Sequence, residues 1–319
     1  MAPTILITGE TLVDFLPTDG DDEGLAAVES FARRPGGCPA NVAVGLANLG
    51  AAPWFWTRVG ADPFGDLLVE TLADAGVPDR FVERDPDAKT TLAFVAYEGG
   101  DPEFSFYREG TADARMEPGR VPDETLDAVE FVFAAGGVML SADPGRAATM
   151  DVLDRADGRA TTVFDANARP ELYADAETFP RRVRTVLPHV DVVKGGAGDL
   201  RRAGFAGADE DELVRTVTGA GPHTVLLTRG ADGARFYSTE PAPWGAVDVA
   251  HPGYDVDAVD PTGAGDAFTA GALAALADGE SPAEVLAFAN AVGATATTAA
   301  GAMAALPGRG AVRALRDRD

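Results

Sequence analysis

The sequence predicts an α/β protein: a mostly parallel central sheet with helices on both faces, and a small β-sheet standing off it. Three observations carry this. Short apolar strand-like runs alternate with helically spaced segments for most of the chain. A pair of extended stretches joined by a glycine turn interrupts that alternation as a hairpin. Polar and glycine-rich residues collect just after the strand-like runs, where open parallel sheets bind their ligands.

Residues 4–9 (T-I-L-I-T-G) read as a short buried strand, and residues 10–15 follow as an apolar segment interrupted by Asp14. Asp14 is a turn former or a ligand for a polar molecule, and alone it favours the turn. Residues 19–23 form an acidic loop. Gly36 and Gly37 then open a helix in which Val42, Leu46 and Leu49 keep helical spacing and Gly50 supplies the C′ stop. Asn41 lies in its first turn, placed to cap it or to bond a hydroxylated ligand, and capping is the commoner use. A strand over 54–59 and a helix over 64–75 come next. The hairpin pairs residues 90–97 with 103–108 across the turn Gly99-Gly100-Asp101, and its place between β-α units suits it to cover a site.

Strands over 131–135, 161–165, 190–194 and 224–228 then alternate with helices around 144–156 and 209–218. Asp165, Asn167 and Arg169, then Lys194, then Thr228 and Gly230, all fall at strand ends. Residues 259–273 (V-D-P-T-G-A-G-D-A-F-T-A-G-A-L) pass from a turn through Gly263, Ala264 and Gly265 into a small-residue apolar helix. Unpaired N–H groups and the positive end of the dipole converge there, a geometry that holds an anion. Asp266 sits in that first turn, either as a favourable dipole partner or as a general base beside a phosphoryl group. A helical region over 283–300 and an arginine-rich tail, read as a frayed surface helix, end the chain.

Composition narrows the function. A chain of 319 residues with 46% hydrophobic content suits one sizeable domain. No apolar run is long enough to span a membrane, and no basic region precedes an apolar one at the N-terminus, so we expect a soluble cytoplasmic protein with no membrane partner. A single cysteine, Cys38, excludes an internal disulfide. His189, His223 and His251 lack zinc spacing, and the first two read as solvated loop residues. A formal net charge of −25 argues against nucleic acid as a partner. Only Lys89 and Lys194 are lysines; with so large a negative charge, this fits a salt-rich, halophilic cytoplasm.

Neither lysine follows a glycine, so no P-loop is present. Phe268 stands where a dinucleotide fingerprint needs its third glycine, and there is no G-x-S-x-G. Phosphoryl transfer with a backbone anion hole and an aspartate base survives.

Residues 36–50 and 260–273 resemble the N- and C-terminal signatures of the PfkB, or ribokinase-like, carbohydrate kinases, and the order of segments between them is similar along nearly the whole chain. The resemblance implies a three-layer αβα fold over residues 1–319, with a β lid from about 11–34 and 88–110. It implies ATP-dependent phosphorylation of a sugar hydroxyl, assisted by Mg2+. By position it makes Asp266 the catalytic base and Gly263, Ala264 and Gly265 the anion hole. Asp14, Gly37 and Asn41 match sugar-binding positions. Lys194, Thr228, Gly230, Gly233 and Asn290 match nucleotide-binding ones. Asp260 and Thr262 fall where some relatives hold a monovalent cation, which adds K+ to the cofactors implied.

One departure concerns metal binding. Where many members carry Asn-x-x-Glu to organise magnesium-bound water, this chain has Gly196-Ala197-Gly198-Asp199, which leaves Asp199 alone to act through water. Residues 104–113 (F-S-F-Y-R-E-G-T-A-D) and 165–173 (D-A-N-A-R-P-E-L-Y) resemble fructokinase segments. Kinases of 2-keto-3-deoxygluconate share much of this. Tyr107, Arg108 and Arg169 are thus sugar-contacting candidates: the arginines clamp a sugar-acid carboxylate, serve ketose hydroxyls, or pair with surface acids. Fructose is the favoured substrate, the sugar acid the alternative, and a silent sugar- or nucleotide-binding protein the competing class. A hairpin edge would also allow a homodimer through the lid.

Overall fold

The structure is a computed structural model that describes residues 3–18, 24–98 and 101–318. The predicted acidic loop over 19–23 and the hairpin glycines 99–100 lie outside the described residues.

The strands, in chain order, are β1 (Ile5–Thr8), β2 (Leu12–Pro17), β3 (Phe31–Gly36), β4 (Trp54–Gly60) and β5 (Val82–Asp85). They continue with β6 (Leu92–Glu98), β7 (Asp101–Tyr107), β8 (Phe131–Ala135), β9 (Thr161–Asp165) and β10 (Val192–Gly196). The last three are β11 (Thr224–Thr228), β12 (Ala234–Ser238) and β13 (Val247–His251). Nine form one sheet in the order β13-β12-β11-β10-β9-β8-β1-β4-β5. From β11 to β5 every pairing is parallel, and only β12 and β13 run antiparallel at one edge. β5 and β13 escape prediction because they are only partly buried, whereas β12 is largely buried but follows β11 with no α-helix between, outside the strand–helix alternation.

Strand alternation builds the two faces. Ile5 and Ile7 of β1 point into one core with Phe55, Phe133 and Phe236, whereas Leu6 points into the other with Trp56, Val132 and Phe164. The first core is closed by helices Cys38–Asn48, Ala264–Ala277 and Pro282–Ala296. Their small residues let the backbones approach. A Cβ on Gly271 would lie 2.9 Å from Ala289 Cα, and one on Gly45 would lie 2.8 Å from Ala270 Cβ. This packing explains why the middle helix is apolar all round.

Four strands make a separate small sheet, in the order β3-β2-β6-β7. Asp14 lies within β2, so it is an extended residue and not a turn former. The C-terminal tail differs from expectation too. Helix Arg309–Arg316 is docked, with Val312 fully buried, Arg309 bonded to Leu49 O (2.5 Å) and Asp278 (2.6 Å), and Arg316 bonded to Glu284 (2.8 Å). His223 is half-buried, edge-on to Trp244 and within 2.8 Å of the Thr224 hydroxyl, so it is not a solvated loop residue.

Candidate active site

Two helix N-termini meet beyond the carboxyl ends of the parallel strands. The turn before helix Ala264–Ala277 is pinned by Asp260, whose Oδ1 accepts the Thr262 amide (2.9 Å) and whose Oδ2 accepts the Gly301 amide (2.8 Å). Gly263 has φ +78°, and a Cβ there would lie 2.8 Å from Ala302 Cα, so only glycine fits. Ala264 N–H donates to Pro261 O (3.1 Å), which leaves the amides of Gly265 and Asp266 as the donors of the open first turn. The Asp266 carboxylate accepts a hydrogen bond from Asn41 Nδ2 at 2.7 Å. This bond ties the turn to the first turn of the Cys38–Asn48 helix, where Asn41 serves the neighbouring helix rather than capping its own.

Lys194, in the middle of β10, supplies the positive charge. Its Nζ donates to Asp165 Oδ2 at 2.8 Å, with exposures of 6% and 1%, and a Cβ on Gly265 would lie 3.1 Å from that ammonium. The glycine therefore lets the cation reach the anion turn. Burial alone would lower the Lys194 pKa, but Asp165, Cys38 and Asp266 outweigh it and hold the ammonium charged. Burial raises the Asp266 pKa; Lys194 and the hydrogen bonds from Asn41 and Cys38 pull it part of the way back. A poorly solvated carboxylate of this kind suits proton abstraction. Cys38, Asp165 and Asp266 bring their ligand atoms within 4.8 Å of one another, yet Lys194 already serves as the cation of this cluster.

Asp199 belongs to the same field. Burial and then Asp165 raise its pKa, and Arg202 stands 3.6 Å away. A half-buried carboxyl crowded by a second acid fits a divalent cation reached through water.

On the small sheet, Asp14 is raised to about 7, by burial first, with Arg169 lowering and Asp266 raising it. A Cβ on Gly36 would lie 2.0 Å from Asp14 Oδ2, so the glycine leaves the carboxylate its present place. Gly37 has φ +103° and would place a Cβ 2.8 Å from the Glu10 carbonyl. Arg169 is half-buried with its guanidinium 5.7 Å from the Phe104 ring centroid, following Asn167, the one non-glycine with positive φ (36°) among the described residues. Tyr107 is 61% exposed on β7. Arg108 is not a free clamp: it is buried, with Nε on Asp113 Oδ2 (2.7 Å) and Nη1 on Ser141 Oγ (3.0 Å).

Farther along the sheet, Thr228 ends β11 beside Gly196, where a Cβ would lie 3.6 Å from the threonine hydroxyl. Gly230 has φ +60° and faces open space, whereas Gly233 admits no Cβ because His251 O would be 2.0 Å away. Asn290 is buried and bonds Leu286 O in its own helix (2.8 Å), so its amide is held inward. Gly293, one turn on, packs that helix against the anion turn: a Cβ would lie 3.3 Å from Ala264 O.

Sequence reasoning missed the Asp165–Lys194 pair, the Cys38 thiol beside Asp266, and Glu10. An acid enclosed by the apolar runs I-L-I and L-V was the available signal for Glu10.

A parallel sheet with an aspartate at a glycine-turn helix N-terminus, a buried lysine beside it and a small sheet over the cleft defines a phosphotransferase of the sugar-kinase class. The pfkB family carbohydrate kinase model matches residues 2–309, and the chain belongs to that family. It is 34% identical over 310 residues to probable fructokinase-2 of Arabidopsis thaliana, covering 94% of this chain and 91% of the relative. The fructokinase of Xylella fastidiosa with bound ATP superposes with a TM-score of 0.87 at 30% identity, covering 100% of this chain and 99% of that one. A fructokinase double mutant of Vibrio cholerae, bound to fructose, ADP and potassium ion, gives 0.84 at 28% identity over 98% and 97%. The protein is a sugar kinase. Among the described residues no helix is long and apolar enough to cross a membrane.

Proposed function

We propose that the chain is an ATP-dependent fructokinase. The observation that carries the chemistry is Asp266, held by Asn41 at 2.7 Å beside the Lys194 ammonium and the open amides of the anion turn. Asp266 takes the proton of the attacking sugar hydroxyl, while those amides and Lys194 steady the transferring phosphoryl group. Asp14, Gly37 and Asn41 orient the sugar, with Tyr107 and Arg169 at the rim. Thr228, Gly230, Gly233 and Asn290 border the nucleotide. When bound, Mg2+ neutralises phosphate charge, and Asp199 would hold it through water. Asp260 and Thr262 fix the turn next to which K+ would sit. The small sheet acts as a lid, and its edge strands β3 and β7 offer a surface for a second copy.

Fructose is preferred to 2-keto-3-deoxygluconate because Arg108 is engaged with Asp113, leaving only one of the two arginines free to meet a carboxylate. An ADP-release assay on both sugars in high potassium chloride tests this. Turnover of fructose is the expected outcome. Turnover of the sugar acid alone overturns the substrate, and fructose binding without ADP release overturns the activity.

A further inference from the structure

Two crossings join the small sheet to the large one, and a buried acid that phosphoryl transfer does not use lies where they meet. The chain leaves β1 through Gly9, Glu10 and Thr11 and returns from β3 through Gly36 and Gly37. Thr11 Oγ1 donates to Gly36 O at 3.3 Å. The second crossing enters β6 and leaves β7 through Arg108 to Asp113. Val13 N donates to Thr91 O (3.1 Å) and Ala112 N to Lys89 O (2.9 Å). Asp113, 1% exposed, laces this joint: it accepts from the Thr91 hydroxyl, from Thr111 Oγ1 (2.9 Å) and from Arg108 Nε (2.7 Å).

Glu10 is 2% exposed, and its Oε2 has no hydrogen-bond partner among the described residues. Arg108 and Asp113 face it from the stretch after β7, Arg169 and Tyr173 from the stretch after β9, and Cys38 from the helix N-terminus. As a carboxylate it would be a second anion competing for Arg108, with an oxygen left unpaired in the interior. We propose that Glu10 is a positioning residue for sugar phosphorylation: its carboxyl group leaves the Arg108–Asp113 pair intact, which keeps the small sheet, and Asp14 on it, in register with Asp266. The proposal rests on the sugar-kinase reading above.

Burial pushes the Glu10 pKa up to about 8, so the group is neutral at neutral pH and becomes a rival anion only above it. Burial holds Tyr173 and Cys38 protonated to higher pH. Asp14, raised to about 7, gives a limb of the opposite slope.

The test is the pH profile of kcat/KM for the sugar, with KM for ATP measured separately, in wild type, Glu10→Gln and Glu10→Ala. Wild type is expected to lose sugar affinity as pH rises through about 8. Glu10→Gln should keep the neutral-pH value and lack that alkaline limb. Glu10→Ala should raise the sugar KM about tenfold and leave the ATP KM unchanged. An alkaline limb that persists in Glu10→Gln, or equal changes in both KM values, overturns the proposal. A wild type that binds sugar without turnover removes the kinase reading instead; the same pH series on the sugar Kd then decides the role of Glu10 by the same criteria.

Discussion

At the cleft, Lys194 is paired with Asp165 and a further carboxylate, Asp266, lies beside them; at the joint between the sheets, Arg108 is paired with Asp113 and a further carboxyl, Glu10, lies beside them. Both regions hold one buried cation and two acids, so charge count does not separate them. Hydrogen-bond supply and exposure do. Asp266 accepts from Asn41 and Cys38 and is not fully sealed, so its charged form is partly stabilised and can meet a substrate. Among the described residues Glu10 has no partner for Oε2, and it is sealed from solvent, so it keeps its proton. Partner supply turns the same inventory into a base in one place and a neutral spacer in the other.

Removing the base is the strongest way to break this comparison. Asp266→Asn keeps the shape and the Asn41 contact but loses the proton acceptor, and is expected to lower kcat roughly 10²–10⁴-fold with little change in sugar or ATP affinity. Near-normal turnover in a coupled ADP assay would remove Asp266 from the chemistry and make the two regions alike. Lys194→Met comes next. It strands Asp165 at 1% exposure, and breaking a buried pair from one side costs about 3–5 kcal/mol of stability. Urea unfolding reads this directly. A loss below about 1 kcal/mol would mean that the pair is not what fixes the anion turn.

The cleft was more legible in the sequence than the joint, for a physical reason. The anion turn is local: glycines, an aspartate and an apolar helix lie within a dozen residues, and each obeys a backbone rule that holds before the chain folds. The alternation that builds β1, β4, β8, β9, β10 and β11 is local as well. The joint is assembled from Glu10, Thr91, and Arg108 with Asp113, which come from three separate stretches of the chain and meet only in the folded chain. For this reason Arg108 read as a candidate sugar contact, with pairing to an acid only one of its alternatives, and Asp14, taken without the resemblance, as a turn former. Strands β12 and β13 and helix Arg309–Arg316 were missed or misjudged likewise, since their burial depends on neighbours distant in sequence. Asn290 matched by position, but nothing local shows that its amide turns back to Leu286.

The smallest expected effect sharpens the comparison on stability alone. A raised acid binds its proton more tightly in the folded chain, so between the ordinary glutamate value and about 8 the folded state carries a proton that the unfolded state has released. Wild-type stability therefore falls as pH rises through that window and levels off above it. Glu10→Gln lacks this proton and should melt higher than wild type at alkaline pH, by roughly 2–4 °C per kcal/mol relieved, with the advantage vanishing in acid where both side chains are neutral. Asp14 and Asp266 titrate in both proteins and cancel in the difference. Melting curves that stay parallel at every pH would mean that Glu10 ionises freely in the fold, and its contrast with Asp266 would then lie in exposure and not in charge.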